Sequence, residues 1–206
     1  MATEHPPRRR FFRLLQWQLI RTAIWLVPGS RRIQTHDRTL LEQVIFQEIF
    51  LTGRYRNILF AGCASYTSWY PWIFECFDSI RFETIDQDPA NQQHGCRRHH
   101  RVGRLEELVN SSNQVGPYDL VILNGLFGFG TDDAEGIRQV ISASRKVLQP
   151  GGMLLIGFND VAGNARFDPD WISERDFRRG IIPGTNEHDF LAQGEHRHRF
   201  VSFIRR

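Results

Sequence analysis

A glycine and an acidic residue stand where two apolar segments of the sequence end. Gly62 directly follows the run 57–61, and Asp86 directly follows the run 81–85. If both runs are parallel strands, their carboxyl ends meet at one edge of a sheet, where open α/β sheets bind ligands. A glycine there lets the backbone approach a ligand closely, and a carboxylate accepts hydrogen bonds from both hydroxyls of a ribose. The pair is therefore typical of nucleotide binding.

Two common nucleotide-binding motifs are missing from the sequence. The segment after the first apolar run holds Gly62 as its only glycine, so it is no GxGxxG fingerprint, and no GxxxxGK[ST] sequence occurs. These absences disfavour a nicotinamide-binding protein and a P-loop protein. The remaining candidate loops for a ligand are 62–67, 100–105 and 124–130, each after a predicted strand.

Several histidines are candidates for a general base, because imidazole titrates near neutral pH. His100 and its neighbour His99 lie in the arginine-rich stretch 97–101, for which a solvated cationic segment is the alternative interpretation. Three further histidines near the end of the chain are alternative bases: His188, His196 and His198.

Cysteine and lysine usage excludes several kinds of chemistry. The three cysteines, Cys63, Cys76 and Cys96, form no metal-binding spacing, and their low, odd number favours reduced thiols and a cytoplasmic protein. Cys63 is interpreted as a small buried residue rather than a nucleophile, and no metal is expected. Lys146 is the single lysine among 26 basic residues, which excludes any mechanism that needs two lysines in one site.

Apolar runs and helical periodicities alternate along the chain. The predicted strands are 57–61, 81–85, 100–102, 118–123, 153–158 and 199–204, and the predicted helices are 35–51, 67–77, 133–147 and 171–179. Gly53 is expected to end the first of these helices. The order predicts a doubly wound, mostly parallel α/β sheet with helices on both faces.

The basic residues are concentrated in an N-terminal arm, residues 1–32. The arm has seven arginines and one acid, a net charge of +6, whereas residues 33–206 have 19 basic and 22 acidic residues, a net charge of −3. The domain itself therefore offers no general basic face for a nucleic acid. Because no run of eighteen uncharged apolar residues occurs, a transmembrane helix is not expected.

Residues 8–27 are predicted to form a helix that ends at Pro28-Gly29. Three interpretations of this helix stay open: it packs on the domain or forms a homodimer, it lies peripherally on an anionic membrane surface, or it is a signal sequence. Arg13 and Arg21 interrupt its apolar region and no small-x-small cleavage site follows, which disfavours the signal sequence.

Four segments together resemble the class I S-adenosylmethionine-dependent methyltransferases. They are the strand and glycine loop 58–64, the second strand with its acid 84–89, the fourth strand 118–124, and the helix exit with the fifth strand 148–156. The resemblance covers about residues 55–206 and implies a Rossmann-like sheet of seven strands with an antiparallel last strand.

The resemblance also implies a cofactor and a set of site residues. The cofactor is S-adenosyl-L-methionine, with S-adenosyl-L-homocysteine as product. Asn124 matches a position that faces the methyl group in this family, and 124–127 resembles an Asn-Pro-Pro-aromatic motif without its prolines. The predicted cofactor-binding residues are Gly62, Cys63, Ala64, Tyr66, Asp86, Gln87, Arg104, Leu105, Asn124 and Gly125, and the candidate catalytic residues are Asn124, His100 and His188.

Three positions depart from the family's pattern. Phe60 replaces an acid two residues before the glycine, Ala64 replaces a second glycine, and Arg104 stands where an adenine-contacting acid is often found.

The sequence favours methyl transfer to an oxygen or nitrogen of a small-molecule acceptor. No cysteine follows a proline, as a cytosine C5 enzyme requires, and no separate RNA-binding domain is expected. About 45 residues after the fifth strand, with the arm, remain to form a small aromatic pocket. The alternatives are a non-catalytic binding or scaffold protein on the same fold and a nucleic-acid methyltransferase guided by the arginine arm.

Overall fold

The structure, a computed structural model, describes residues 7–25, 35–75, 80–110, 116–161 and 167–206. Its helices are α1 (Pro7–Trp25), α2 (His36–Thr39, continued by a π-helical segment Leu40–Ile45 and by Phe46–Thr52), α3 (Tyr70–Glu75), α4 (Leu105–Asn110) and α5 (Ala134–Val147). Its strands are β1 (Asn57–Ala61), β2 (Arg81–Asp86), β3 (His100–Val102), β4 (Tyr118–Asn124), β5 (Leu148–Asn159), β6 (Phe177–Arg179), β7 (Asp189–Leu191) and β8 (His198–Arg205). Short 3₁₀ turns lie at Ser65–Thr67, Pro89–His94 and Pro169–Trp171.

The strands form one mixed sheet in the order β3-β2-β1-β4-β5-β8-β6, with β7 also paired to β8. The pairs from β3 to β5 are parallel, and β8 is antiparallel to β5, β6 and β7. The predicted mostly parallel sheet with an antiparallel last strand is confirmed. The carboxyl ends of β1, β2, β3 and β4 consequently lie along one edge.

Helices cover both faces of the sheet, as predicted. One apolar cluster joins α2 and α3 to β-strand residues such as Ile58 and Phe60. The other joins α5 to the opposite side of the same strands, through residues such as Leu59 and Val121. The alternation of side chains along a strand produces the division. Buried on both faces, β1 and β4 read as continuous apolar runs in the sequence.

Local signals fix the helix ends that the sequence predicted. Gly53, with φ of +57°, ends α2 in the left-handed conformation that glycine adopts most easily. Asp133 precedes α5, and its side chain accepts a hydrogen bond of 2.7 Å from the backbone N–H of Gly136. The predicted stops at Pro28-Gly29 and near residue 77 lie outside the described residues.

The prediction was wrong in the region 171–179. A helix was expected there, but the structure has a 3₁₀ turn ending at Trp171 and then the strand β6. Phe177 pairs with Arg205 of β8, and this edge continues through Gly180 to β7. Strand pairing between segments far apart in sequence overrides the weak local preference. Helix α4 and strand β7 were also missed, and both have only six residues or fewer.

Helix α1 packs against the C-terminal end of α2 with its arginine side inward. Trp17 is buried and stacks on Phe50, with ring centroids 5.6 Å apart. Arg13 donates to the carbonyl oxygens of Phe50 and Leu51 at 3.3 and 3.5 Å, which satisfies groups at the helix end. Arg10 lies 3.6 Å from Glu48.

The opposite side of α1 is apolar and exposed. Four large side chains on it are between 46% and 70% exposed: Phe11, Phe12, Leu15 and Leu19. None of the described helices is both long and apolar enough to cross a lipid bilayer.

Two alanine variants test which side of α1 packs on the domain. Trp17→Ala should lower the free energy of unfolding by about 3 kcal/mol, because it removes a buried aromatic side chain. Leu19→Ala, on the exposed side, should change it by less than about 0.5 kcal/mol. Urea unfolding followed by circular dichroism measures both. Equal effects of the two substitutions would contradict this packing.

Candidate functional site

A cleft of about 320 Å³ lies at the carboxyl edge of the sheet. It is enclosed by the loops that follow β1, β2, β3 and β4, as the parallel order requires. All ten residues predicted to bind the cofactor line it: Gly62, Cys63, Ala64, Tyr66, Asp86, Gln87, Arg104, Leu105, Asn124 and Gly125. The sequence therefore located this edge correctly.

Gly62 brings the loop after β1 against the end of β4. Its φ is +93°, and a Cβ atom there would lie 2.9 Å from the carbonyl oxygen of Asn124 and 3.0 Å from Leu126 Cδ1. Its own N–H donates to the carbonyl of Ile85 at 3.0 Å. Both the conformation and the close contact require a glycine.

The Asp86 carboxylate organises the neighbouring loops. Oδ2 accepts a hydrogen bond of 2.6 Å from the N–H of Cys63, which ties the end of β2 to the glycine loop. Oδ1 accepts from the N–H of Asp88 at 2.8 Å and from Asn91 Nδ2 at 3.2 Å. A carboxylate has about four acceptor positions, so these three bonds leave one for a ligand.

The departure at Ala64 has a conformational explanation. Ala64 has φ of −153° and ψ of 167°, an extended backbone that any residue adopts. Its N–H donates to Thr67 Oγ1 at 2.9 Å, and that hydroxyl is within 3.0 Å of the Ala64 carbonyl. The loop is thus closed by a threonine hydroxyl and does not need a second glycine.

The departure at Phe60 belongs to the core. Phe60 is buried, and its ring centroid lies 5.5 Å from that of Tyr70 and 6.1 Å from that of Phe82. Its side chain faces the α2 and α3 side of the sheet. Phe60 is not among the residues that line the cleft.

Arg104 connects three loops across one end of the cleft. Its Nε donates to Gln87 Oε1 at 3.0 Å, and one terminal nitrogen donates to the carbonyl of Gly130 at 3.3 Å. The other lies 3.6 Å from Glu106, which also lines the cleft. The arginine at this position therefore joins the loops after β2, β3 and β4.

At the other end, an aromatic and cationic wall is supplied by α2 and the β1 loop. Tyr66 lines the cleft, and the Arg38 guanidinium lies 4.3 Å from its ring centroid. Arg38 also donates to the hydroxyl of Tyr70 at 2.8 Å, and that hydroxyl donates to Glu42 at 2.9 Å. The packed network fixes the position of the α2 start.

Asn124 ends β4 in the cleft and contacts a buried histidine. His198 Nε2 lies 3.1 Å from Asn124 Oδ1, and His198 Nδ1 lies 2.7 Å from Asn159 Oδ1. Burial is the main cause that lowers the pKa of His198; Asp37 opposes it, Arg38 and His196 add to it, and the result is a pKa of about 4. The ring is consequently neutral at physiological pH.

The structure does not bring the other two predicted catalytic residues to the cleft. His100 contacts Thr84 Oγ1 at 2.9 Å through Nδ1, on the side of the sheet that α3 covers, and burial lowers its pKa. His188 Nδ1 lies 2.6 Å from the Gly180 carbonyl, between β6 and β7. Neither ring lines the cleft. The sequence could not show that these two rings lie outside the cleft, because it does not reveal which face of a strand a side chain occupies.

The cysteines of the described residues are poor nucleophiles. Cys63 is buried, and burial, with Asp86 adding to it, raises the pKa of its thiol to about 12. Burial also raises the pKa of Cys96 to about 11, and its thiol donates to Glu75 at 2.8 Å. Both thiols are protonated at neutral pH. Within the described ranges, no three His, Cys, Asp or Glu side chains are grouped to hold a metal.

The sequence reasoning missed two residues of the cleft region. Asn91 contacts Asp86 from the 3₁₀ turn that follows β2. Its position five residues after Asp86 is the one feature of the sequence that could have indicated this contact. Arg38 lies in a helix preceding β1, and no local pattern connects it to Tyr66.

The pKa of His198 predicts a pH-dependent stability. In the unfolded chain this ring takes up a proton near pH 6.5, whereas in the folded protein it stays neutral down to about pH 4. Stability from this group is therefore present above pH 6.5 and is lost as the pH falls toward 4, by about 3 kcal/mol in total. Chemical unfolding of the wild type and of His198→Gln at several pH values should show that the variant lacks this component. Parallel pH curves for the two proteins would contradict the assignment.

The chain resembles known proteins in its fold rather than in its sequence. No protein-family model and no curated protein sequence matches the chain. Among solved structures, it is similar to the N-methyltransferase NodS from Bradyrhizobium japonicum WM9 in complex with S-adenosyl-L-homocysteine. The TM-score is 0.62 at 16% identity, over 92% of this chain and 98% of that one.

A second solved structure agrees with the first. It is a TehB-like S-adenosylmethionine-dependent methyltransferase from Corynebacterium glutamicum, with a TM-score of 0.56 at 16% identity, over 98% of this chain and 100% of that one. With the strand order and the cleft at the carboxyl edge, these likenesses identify the architecture. The chain has the fold of the class I S-adenosylmethionine-dependent methyltransferases.

Proposed function

We propose that the cleft binds S-adenosylmethionine and that the protein transfers its methyl group to a nitrogen or oxygen of a small-molecule acceptor. The main support for this proposal is that Gly62 and Asp86 lie side by side at one edge of the cleft. Gly62 has no side chain to block the approach of a ligand to the backbone, and the neighbouring carboxylate keeps one acceptor position for a hydroxyl. These features suit the ribose and amino-acid portions of that ligand.

Different residues of the cleft suit different parts of S-adenosylmethionine. Asp86 accepts one ribose hydroxyl, and the neighbouring amide of Asn91 is placed to serve the second. The bare backbone at Gly62 allows the ligand to lie against the loop after β1. We assign the adenine of the ligand to the end of the cleft that is lined by the loops after β2, β3 and β4, through Gln87, Leu105 and Gly130.

Little covalent chemistry is required of the protein. S-adenosylmethionine supplies a methyl group on a positively charged sulfur, and in-line attack by an acceptor lone pair forms the new bond while the electron pair of the broken bond returns to sulfur. Asn124 and Tyr66 lie where they can orient the acceptor. The acceptor's proton leaves to solvent or to a base, and the buried Cys63 thiol is not suited to take it.

The contacts of the N-terminal arm favour a small acceptor over a nucleic acid. Arg13 donates to carbonyl oxygens at the end of α2, and the largely exposed Arg10 lies 3.6 Å from Glu48, so two arginines of the arm contact α2. Tyr66 lines the cleft, and the Arg38 guanidinium of α2 lies 4.3 Å from its ring centroid. A cleft of about 320 Å³ with such an aromatic side chain suits a metabolite with a nitrogen or oxygen nucleophile.

Calorimetric titration with S-adenosylhomocysteine tests the binding site. The wild type should bind it, and Asp86→Ala should weaken the affinity roughly 10- to 100-fold, because a hydrogen bond to a charged group is lost. Asp86→Asn should have a smaller effect, since an amide oxygen still accepts. Asp132→Ala, an exposed acid outside the cleft lining, is the control and should leave the affinity unchanged. Absence of binding by the folded wild type would refute the proposal.

Transfer itself is tested with S-adenosylmethionine that carries a labelled methyl group. The protein is incubated with panels of small amines, phenols and carboxylic acids, and separately with total RNA and duplex DNA. Label should enter a small molecule. Label in RNA or DNA alone would overturn the acceptor class, and binding of the methyl donor without transfer to any acceptor would instead indicate a binding protein.

A further inference from the structure

Three polar side chains contact one another in a cluster on the side of the sheet that α2 covers. They are Asn124 at the end of β4 and His198 at the start of β8, which are buried, and Asn159 at the end of β5, which is half-buried. His198 is only 8% exposed, and its two ring nitrogens lie 3.1 and 2.7 Å from the two amide groups. Phe200 packs edge-on against the imidazole, with centroids 4.8 Å apart.

Gly157 makes this arrangement possible. It pairs with Asn124 on one side and with Phe200 on the other. A Cβ atom at position 157 would collide with Asn124 Oδ1 and would lie 2.8 Å from both His198 Nε2 and Phe200 Cε1. A glycine inside a buried strand costs stability, and here it leaves the space in which the amide and the imidazole meet.

The hydrogen-bonding capacity of the His198 ring determines which groups of the cluster donate and which accept. A neutral imidazole has one N–H donor and one acceptor nitrogen. Both ring nitrogens face an amide oxygen, and a neutral ring can donate to only one of them. Asn124 is 7% exposed, whereas Asn159 is half-buried and has more room to turn, so we assign the proton to Nε2, which donates to Asn124 Oδ1. Nδ1 then accepts from the Asn159 amide N–H, which a half-turn of that side-chain amide brings to the ring. An amide oxygen has two lone pairs, so Asn124 Oδ1 keeps one free.

We propose that His198 is a positioning residue that holds the Asn124 amide so that the remaining lone pair of Oδ1 receives an N–H or O–H of the methyl acceptor. The inference rests on the proposed function and goes beyond it. It restricts the acceptor to a group that approaches as a hydrogen-bond donor, an amine above all, and it assigns its recognition to a pair of residues 74 positions apart.

The charge of the surroundings supports a neutral ring. A positive imidazolium beside Asn124 would repel a sulfonium or an ammonium group in the cleft. The charged and titratable groups that act on His198 are Asp37 and Arg38 from α2 and His196 from the preceding loop. Burial together with Arg38 and His196 keeps the proton off His198, so the amide oxygen next to it stays attractive to a cation.

Sinefungin tests this inference without a known acceptor. This analogue of S-adenosylmethionine carries an ammonium group on carbon where the methyl-bearing sulfonium stands, so it presents N–H donors at the transfer point. Calorimetric affinities for sinefungin and for S-adenosylhomocysteine are compared in the wild type, Asn124→Ala, His198→Phe and the double variant. His99→Phe, which changes an exposed histidine, is the control.

The wild type and the control should bind sinefungin at least about tenfold more tightly than S-adenosylhomocysteine, the effect of one hydrogen bond to a charged group. Asn124→Ala and His198→Phe should each bring the ratio close to one, and the double variant should lose no more than either single variant. His198→Gln, which keeps an N–H donor, should retain most of the preference. Affinity of His198→Phe and of the control for S-adenosylhomocysteine should change less than about threefold, because neither side chain lines the cleft. Circular dichroism of every variant reports that it is folded.

Three outcomes would overturn the inference. A wild type without preference for sinefungin shows that Asn124 offers no acceptor. A His198→Phe variant that keeps the preference lost in Asn124→Ala shows that the histidine does not position the amide. A wild type that binds neither ligand removes the proposed function itself, and the inference falls with it; the first two outcomes leave that function standing.

Discussion

The site depends on the parallel pairing of β1 with both β2 and β4. Parallel strands deliver their carboxyl ends to one edge, and here the edge brings the backbone of Gly62 against the Asn124 carbonyl. The same pairing places Asp86 within 2.6 Å of the Cys63 N–H. The loops are therefore held by strand pairing together with the Asp86 carboxylate.

The two faces of the sheet contribute differently to the cleft. On one side, α5 and the strands form an apolar layer that supports the loop after β4. On the other, α2 brings Arg38 over Tyr66, and the polar cluster around His198 lies close by. A buried polar cluster costs free energy unless its groups find partners, so its place next to Asn124 suggests a role beyond packing. That asymmetry is why the acceptor is assigned to the α2 side.

Departures from the resembling family have physical explanations in the fold. Phe60 fills the core between Tyr70 and Phe82, where an acid would be desolvated. Ala64 has an extended backbone and needs no glycine. Arg104 bonds to Gln87 and to the Gly130 carbonyl, so it joins loops. Ala64 and Arg104 therefore alter the lining of the cleft and Phe60 alters the core, while the strand order that creates the cleft is that of the fold.

The sequence by itself determined the strands from β1 to β5, the capped helix α5 and the sheet edge at which ten predicted residues line one cleft. Their binding of a cofactor stays a prediction. The sequence could determine these features because each signal is local: a buried strand is an apolar run, and a ligand loop follows directly at its end. Only the tertiary structure decided that 177–179 is a strand, since its partner β8 comes later in the chain. Only the fold, likewise, separated His100 and His188 from the cleft and placed His198 against Asn124. These positions depend on which face of a strand a side chain occupies and on which strands pair. Neither property can be predicted from the residues that are neighbours in sequence.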